Sequence, residues 1–121
     1  MLVKSYKELK FWQTSRRVSL QIIKLSRKLP NERMAWIIAD QVLRSSFSVG
    51  ANIAEGFGKF KGKEYRRYLK MALGSANETE YWLELLIDAF PMYKDEVKEI
   101  VDLNLQTVKM LSSAVKSLQQ K

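Results

Sequence analysis

Four long segments of helical periodicity make up most of this 121-residue sequence. Proline and glycine separate these segments at three points, which are Pro30, the cluster from Gly56 to Gly62, and Pro91. Within each segment, apolar or small residues recur at alternating spacings of four and three, which places them on one face of an α-helix. We therefore predict helices at about 6–28, 32–55, 63–90 and 93–118, and no strand of comparable length.

Long helices joined by short connections favour an all-α, up-down-up-down four-helix bundle. A chain of 121 residues suits one domain with a single core, spanning 1–121. Ser5 and Glu8 have the spacing of a capping box, so we place the start of helix 1 there. Asn31 is the predicted N-cap of helix 2, and Gly56 is predicted to end that helix in the left-handed conformation.

Small residues predict a close helix crossing. A glycine inside a helix costs about 1 kcal/mol relative to alanine, and Gly74 lies in the middle of predicted helix 3. We expect helix 3 to cross helix 2 at Gly74, against Ser45, Ser46 or Ser48.

Several polar residues fall beside these small-residue stripes. An isolated buried charge is very costly, so we expect these residues to be paired and propose an ion pair between Arg44 and Glu78. The expected structural polar network comprises Arg44, Asn52, Glu55, Asn77 and Glu78.

Predicted helix 4 carries two adjacent apolar seams, where a bundle core requires one. Self-association explains the second seam, with one seam packing inside the subunit and the other on a neighbouring copy. The alternative is a wide apolar face that contacts both neighbouring helices within a monomer. The residues assigned to the oligomer seam are Ile100, Leu103, Asn104 and Met110.

Positive charge is concentrated in the first seventy residues. The whole chain has 21 Lys and Arg against 13 Asp and Glu, a net charge of +8. Residues 1–70 hold 16 basic and 5 acidic groups (+11), and residues 71–121 hold 5 and 8 (−3). A local excess of this size attracts polyanions.

The densest basic segment is 57–70, where six basic residues accompany a single acid, Glu64. Part of this segment follows the i, i+3, i+4, i+7 pattern of one helix face. Phe60 and Tyr68 are candidates for base stacking, whereas Tyr65 belongs to the core series. The predicted nucleic-acid-binding residues are Lys59, Lys61, Lys63, Arg66, Arg67 and Lys70, with Arg17, Lys24 and Lys28 from helix 1.

The chain has no Cys and no His. These absences exclude disulfides, thiolate or imidazole metal sites, cysteine nucleophiles and the commonest general acid–base residue. We therefore expect no enzymatic activity, no cofactor and no metal. The longest apolar run, residues 34–39, is six residues long, whereas a membrane span needs about 20. We expect no membrane contact and a cytoplasmic location, with which the lack of cysteine agrees.

The central segments resemble a known family. Residues 41–46, 48–56 and 72–80, which include the motifs Asn-Ile-Ala-Glu-Gly and Gly-Ser-x-x-Glu, are similar to the 23S rRNA intervening-sequence protein family. The resemblance covers roughly residues 5–115 in length and layout. It implies a four-helix protomer that assembles into a homopentameric ring. A related branch, the accessory variability proteins of diversity-generating retroelements, implies nucleic acid and a reverse transcriptase as partners.

We interpret the chain as a non-enzymatic, homo-oligomeric adaptor that binds RNA or an RNA/DNA hybrid through a basic surface. Contacts to phosphates would make this binding weakly sequence-specific. The alternative is a structural or protein-interaction ring that binds an acidic protein partner and no nucleic acid.

Overall fold

Four α-helices form the fold in the computed structural model, which describes residues 3–59 and 62–119. They are α1 (Lys10–Ser26), α2 (Arg33–Phe57), α3 (Gly62–Ala89) and α4 (Lys94–Gln119). Short 3-10 helices, Tyr6–Glu8 and Pro91–Tyr93, precede α1 and α4. The described residues contain no strand, so the predicted all-α class is confirmed.

Each helix occupies one corner of a bundle. Helix α1 packs against α2 and α4, and α3 also packs against α2 and α4, whereas in the described residues the diagonal pairs have no Cα atoms within 8 Å of each other. The connections are short, so consecutive helices run antiparallel. The start of α3 therefore lies at the same end of the bundle as the start of α1 and the ends of α2 and α4.

Two apolar clusters fill the interior, one toward each end of the bundle. The first includes Ile22 of α1, Leu83 of α3 and Val97 of α4. The second includes Ile53 of α2 and Leu69 of α3. Their buried side chains come from the predicted helical stripes, since the four-three spacing keeps them on the inner face of each helix.

Polar side chains separate the two clusters at mid-height. Ser45 Oγ and Thr79 Oγ1 are 2.9 Å apart between α2 and α3, and Thr14 Oγ1 and Thr107 Oγ1 are 2.7 Å apart between α1 and α4. Asn104 Nδ2 donates to the carbonyl oxygen of Ala76 at 2.9 Å. Among the described residues, no buried side-chain nitrogen or oxygen lacks a hydrogen-bond partner.

The predicted starts of helices 1 and 2 are wrong in detail. Ser5 Oγ accepts a hydrogen bond from the backbone N–H of Lys7 and caps the 3-10 helix, and α1 itself begins at Lys10. The N-cap of α2 is Glu32 in place of Asn31, and its side chain makes no capping bond. Capping side chains favour a helix end nearby, but one residue of shift is enough to change which residue occupies the cap.

Gly56 does not end α2 in a left-handed conformation; it lies inside the helix and is buried. A Cβ atom added at Gly56 would lie 2.5 Å from the Cβ of Tyr68 in α3. The absence of a side chain therefore permits the close approach of α2 and α3.

Gly74 is not the crossing point of helices 2 and 3, because it is exposed and a Cβ there would meet nothing within 4 Å. The two helices instead approach where Ser48 Oγ and Ser75 Oγ are 2.9 Å apart, and at Gly56. The crossing thus uses the residue that follows Gly74.

The predicted oligomer seam is also wrong, because both seams of α4 are used within the protomer. Ile100, Leu103 and Asn104 are buried in the core, and Met110 is half-buried. Asn104 contacts α3, whereas Thr107 contacts α1. The wide apolar face of α4 therefore serves its two neighbouring helices, which was the alternative explanation.

We expect Gly56→Ala to lower the free energy of unfolding by about 1–3 kcal/mol, because the added methyl group overlaps Tyr68 and forces the helices apart. Gly50→Ala is the matched control, since a Cβ there would make an ordinary contact 3.4 Å from Ser15 Oγ. Urea denaturation followed by circular dichroism measures the free energy of unfolding of each variant. Equal stability of the two variants would contradict this role of Gly56.

Candidate nucleic-acid interface

Four predicted basic residues come together on the first turns of α3. Lys63, Arg66, Arg67 and Lys70, with Met71, line an open groove of about 360 Å³. The i, i+3, i+4, i+7 spacing places the four cations on one side of the helix. Their position near the start of α3 adds the positive end of the helix dipole to their charge.

Arg66 is anchored at the boundary between α3 and α4. Its Nε donates to the carbonyl oxygen of Val115 at 3.1 Å, and its side chain is half-buried. This bond orients the guanidinium, whose planar set of donors matches a phosphate or a carboxylate.

The other groove cations are exposed and weakly neutralised. Arg67 Nη1 lies 3.7 Å from Glu64 Oε2, a distance at which an exposed pair contributes well under 1 kcal/mol. Within residues 3–59 and 62–119, Lys63 and Lys70 have no acidic side chain within the 4.0 Å of an ion pair. The groove therefore keeps a local excess of positive charge.

Lys59 does not line the groove. Its Nζ lies 2.8 Å from Glu55 Oε2, and this hydrogen bond raises the pKa of Lys59 and lowers the pKa of Glu55. Lys59 Nζ also lies 5.2 Å from the centre of the Tyr68 ring. Lys61, another predicted binding residue, lies outside the described residues.

Two described aromatic residues of this region, Tyr65 and Tyr68, serve packing. Tyr68 is half-buried with its Cβ against Gly56, and Lys59 stands over its ring. Tyr65 packs against the second apolar cluster, and burial raises the pKa of its hydroxyl. Phe60, the other candidate for base stacking, lies outside the described residues.

The predicted binding residues of helix 1 do not join the groove. Arg17 and Lys24 are exposed on α1 and Lys28 is exposed just after it, and no Cα atom of α1 lies within 8 Å of one in α3. Lys24 and Lys28 line a second groove of about 330 Å³ at the opposite end of the bundle, together with the acidic Glu96 and Glu99. Lys28 Nζ is 3.2 Å from Glu96 Oε2, so this groove is partly neutralised.

The expected ion pair between Arg44 and Glu78 joins α2 to α3. Arg44 also donates to Gln41 Oε1, from Nε at 3.0 Å and Nη2 at 2.8 Å. Trp82 Nε1 donates to Glu78 Oε2 at 2.8 Å. The side chains of Arg44 and Glu78 are 55% and 38% exposed, so the pair lies at the protein surface.

The five residues of the expected polar network do not form one network. Asn52 Nδ2 donates to the carbonyl oxygen of Ser48 at 2.9 Å and thus bonds within α2. Glu55 pairs with Lys59, and Asn77 is exposed. The sequence analysis missed Met71 in the groove, although it lies four residues after Arg67 and therefore on an adjoining part of the helix surface.

The described residues contain no group of three or more acidic side chains placed to hold a metal ion. None of their helices combines the length and hydropathy required to cross a bilayer.

Comparison with known proteins identifies relatives of this chain. The family model described as 23S rRNA-intervening sequence protein matches residues 7–113. A crystal structure of a protein of unknown function from Bacteroides thetaiotaomicron, described as from the S23 ribosomal protein family, is 34% identical with a TM-score of 0.79. The match covers 88% of this chain and 98% of that one. No curated protein matches.

We expect Glu78→Gln to lower the melting temperature slightly at neutral pH, because it removes the charge of an exposed ion pair that is worth less than about 1 kcal/mol. Hydrogen bonds from Trp82 and then Arg44 lower the pKa of Glu78 below 4.5. The ionised carboxylate therefore stabilises the folded state at pH values above its ordinary pKa. This stabilisation is lost as the pH falls through the lowered pKa.

The stability difference between wild type and Glu78→Gln should therefore be present at pH 7 and disappear in acid, as measured by thermal denaturation across pH. Glu84→Gln, which removes one negative charge at an exposed position of α3, controls for net charge. A difference that persists in strong acid would show that the carboxylate charge is not its cause.

Proposed function

We propose a nucleic-acid-binding function for this chain, which belongs to the 23S rRNA-intervening sequence protein family. The matched structure is of unknown function, so the family does not supply an activity. The proposal is that the protein is a non-enzymatic, homo-oligomeric adaptor that binds RNA or an RNA/DNA hybrid. The observation that supports this proposal is the basic groove, which is lined by Lys63, Arg66, Arg67, Lys70 and Met71.

The charge distribution of α3 supports an anionic ligand. Cations near the N-terminal end of a helix oppose the helix dipole and lower stability. Residues 63–70 of helix α3 contain four cations and a single carboxylate, Glu64. A bound phosphate would interact favourably with both the side chains and the helix end.

Phosphate contacts would dominate the affinity. Arginine guanidinium groups bind phosphates through paired hydrogen bonds, and lysines act as mobile point charges. The groove-lining residues are four cations and the apolar Met71. None of them is an uncharged polar side chain that could form hydrogen bonds with base edges. We therefore expect affinity that depends on salt and little on sequence.

The proposal includes assembly into a ring, which the family resemblance implies to be a homopentamer. A ring repeats the groove once per subunit, and simultaneous engagement raises the apparent affinity for a long strand. A cytoplasmic location and, through the resemblance to the retroelement branch, a reverse transcriptase as protein partner complete the proposal. A gene for such an enzyme beside the gene for this chain would support that partner.

Reversal of the groove charges tests the binding. In the triple variant Lys63→Glu, Arg67→Glu and Lys70→Glu, we expect at least a tenfold loss of affinity for single-stranded RNA, measured by fluorescence anisotropy. The slope of log affinity against log salt should become shallower by about 2, as loss of three phosphate contacts predicts. Arg66 is left intact because it also bonds Val115.

The matched control is Arg17→Glu, Lys24→Glu and Arg27→Glu, two exposed positions of α1 and one just after it, with the same total charge change. It should retain most of the affinity, because α1 lies diagonally opposite α3. An equal loss in both variants would show that only net charge matters. Wild-type protein that binds neither RNA nor an RNA/DNA hybrid at low salt would contradict the proposal and favour an acidic protein partner.

A further inference from the structure

Two hydrogen bonds show how α3 and α4 lie side by side. Asn104 Nδ2 donates to the carbonyl oxygen of Ala76 at 2.9 Å, and Arg66 Nε donates to the carbonyl oxygen of Val115 at 3.1 Å. The two bonds are ten residues apart on α3 and eleven apart on α4, so the antiparallel register is constant between them. The part of α4 from 109 to 116 therefore lies beside the basic groove of α3.

At the opposite end of the bundle, α3 and α4 present opposite charges to each other. A groove of about 250 Å³ runs between them there. Its charged lining residues are Glu84 and Asp88 of α3 and Lys94 and Lys98 of α4, all of them exposed. The two acids balance the two lysines, so the protomer itself accounts for the cations of α4 at this end.

The helical repeat relates this second groove to the basic groove on α3. Eighteen residues correspond to about five full turns of an α-helix. Arg66 and Lys70 lie eighteen residues before Glu84 and Asp88, so all four occupy the same side of α3. That side faces α4, and its charge changes from positive to negative along the helix.

Two further lysines occupy the matching side of α4. Lys98 lines the groove between α3 and α4 and therefore marks the side of α4 that adjoins α3. Lys109 and Lys116 follow it by eleven and eighteen residues, which correspond to about three and five full turns. Both are exposed, and both lie at the level of the basic groove on the side of α4 that adjoins it.

Helices α3 and α4 bring like charges together at the level of the basic groove. Before residue 78, α3 has one carboxylate, Glu64, and α4 has no Asp or Glu after Asp102. The cations at this level are Lys63, Arg66, Arg67, Lys70, Lys109 and Lys116. In the part of the chain that the structure describes, no acidic side chain lies within the 4.0 Å of an ion pair from Lys109 or Lys116. The protomer therefore offsets little of the repulsion between these cations.

We propose that Lys109 and Lys116 form the second side of the nucleic-acid site, so that an RNA strand in the basic groove also contacts α4 through its phosphates. The two lysines are about 10 Å apart along α4, the same span as Lys63 to Lys70 on α3. Packed helices lie about 8–10 Å apart, so a strand over their boundary reaches both sets of cations. The inference rests on the proposed function and adds α4 to its site.

The composition of this surface favours RNA over an acidic protein. Interfaces between proteins are more than half apolar in area, whereas interfaces with nucleic acid are more polar and much more positively charged. Around the groove, Met71 is the one apolar lining residue. The exposed residues of α4 from 109 onward in the described chain are Lys109, Ser113, Lys116 and Ser117. Phosphates match this set of donors, whereas an apolar protein surface would find little to pack against.

Removal of the two lysine charges tests the contribution of α4. In the double variant Lys109→Gln and Lys116→Gln, we expect at least about fivefold lower affinity for single-stranded RNA, measured by fluorescence anisotropy. The slope of log affinity against log salt should become shallower by about 1.4, as loss of two phosphate contacts to a single strand predicts. Circular dichroism checks that the variant keeps its helices.

The matched control is the double variant Lys94→Gln and Lys98→Gln, which removes the same two charges from the same side of the same helix. It should keep near-wild-type affinity and salt slope. Lys98 is about 16 Å from Lys109 along α4, which exceeds the Debye length of about 10 Å at 0.1 M salt. Equal losses in the two double variants would overturn the inference, because they would show that net charge alone matters.

Photocrosslinking locates the strand, and the chain suits it because it contains no cysteine. Ser113 is exposed and lies four residues after Lys109 and three before Lys116, so it shares their side of α4. Ser113→Cys labelled with benzophenone maleimide should form a covalent adduct with bound RNA on irradiation. Lys98→Cys, about 22 Å away along the helix, carries the same label and should form little. Equal crosslinking from both positions would overturn the inference.

The outcomes separate this inference from the proposed function. Wild-type protein that does not bind RNA would contradict both. Loss of affinity in the triple groove variant, with wild-type affinity and salt slope in Lys109→Gln and Lys116→Gln, would overturn the role of α4 and leave the proposed function intact. Poly-L-glutamate that binds wild-type protein more tightly than RNA of equal charge would also overturn it, because the surface would then suit an acidic protein.

Discussion

Hydrogen bonds across the middle of the bundle fix the register of the four helices. Ser45 with Thr79 ties α2 to α3, Thr14 with Thr107 ties α1 to α4, and Asn104 ties α4 to the backbone of α3. A slip of one turn would leave these groups buried without partners, at about 1–3 kcal/mol each. Apolar residues alone tolerate such slips far better, because their contacts are not directional. The level at which the start of α3 meets the end of α4, and with it the basic groove, follows from this register.

Much of the fold could be predicted from the sequence because helical periodicity is a local property. The four helices and the ion pair between Arg44 and Glu78 follow from spacing and charge pairing. The roles of the glycines could not be predicted. A glycine at a helix end with positive φ and one at a close crossing look the same in sequence, and only the position of Tyr68 shows that Gly56 is the second kind. The wide face of α4 was ambiguous for a similar reason, since its two neighbours are identified only by the arrangement of the bundle.

The candidate site was predictable in part. Periodicity places Lys63, Arg66, Arg67 and Lys70 on one side of a helix, and the structure shows them lining a single groove. Periodicity within one helix does not relate it to another, so the cations of α1 could not be assigned to the opposite corner of the bundle. Nor could the bond between Arg66 and Val115 be predicted, because 49 residues separate the two positions in the sequence.

That bond has an energetic consequence for any anion that enters the groove. A surface arginine that rotates freely loses side-chain rotamer entropy, up to about 2 kcal/mol, when it binds an oxyanion. The guanidinium of Arg66 is immobilised by the α4 carbonyl during folding, so that entropy is lost before a ligand arrives. The exposed Lys63 and Lys70 remain mobile and lose their side-chain entropy only when they bind the ligand. The groove therefore combines one immobilised guanidinium with flexible lysine side chains. The first oxyanion of a polymer binds at the fixed position of Arg66, and the lysines adjust to the oxyanions that follow.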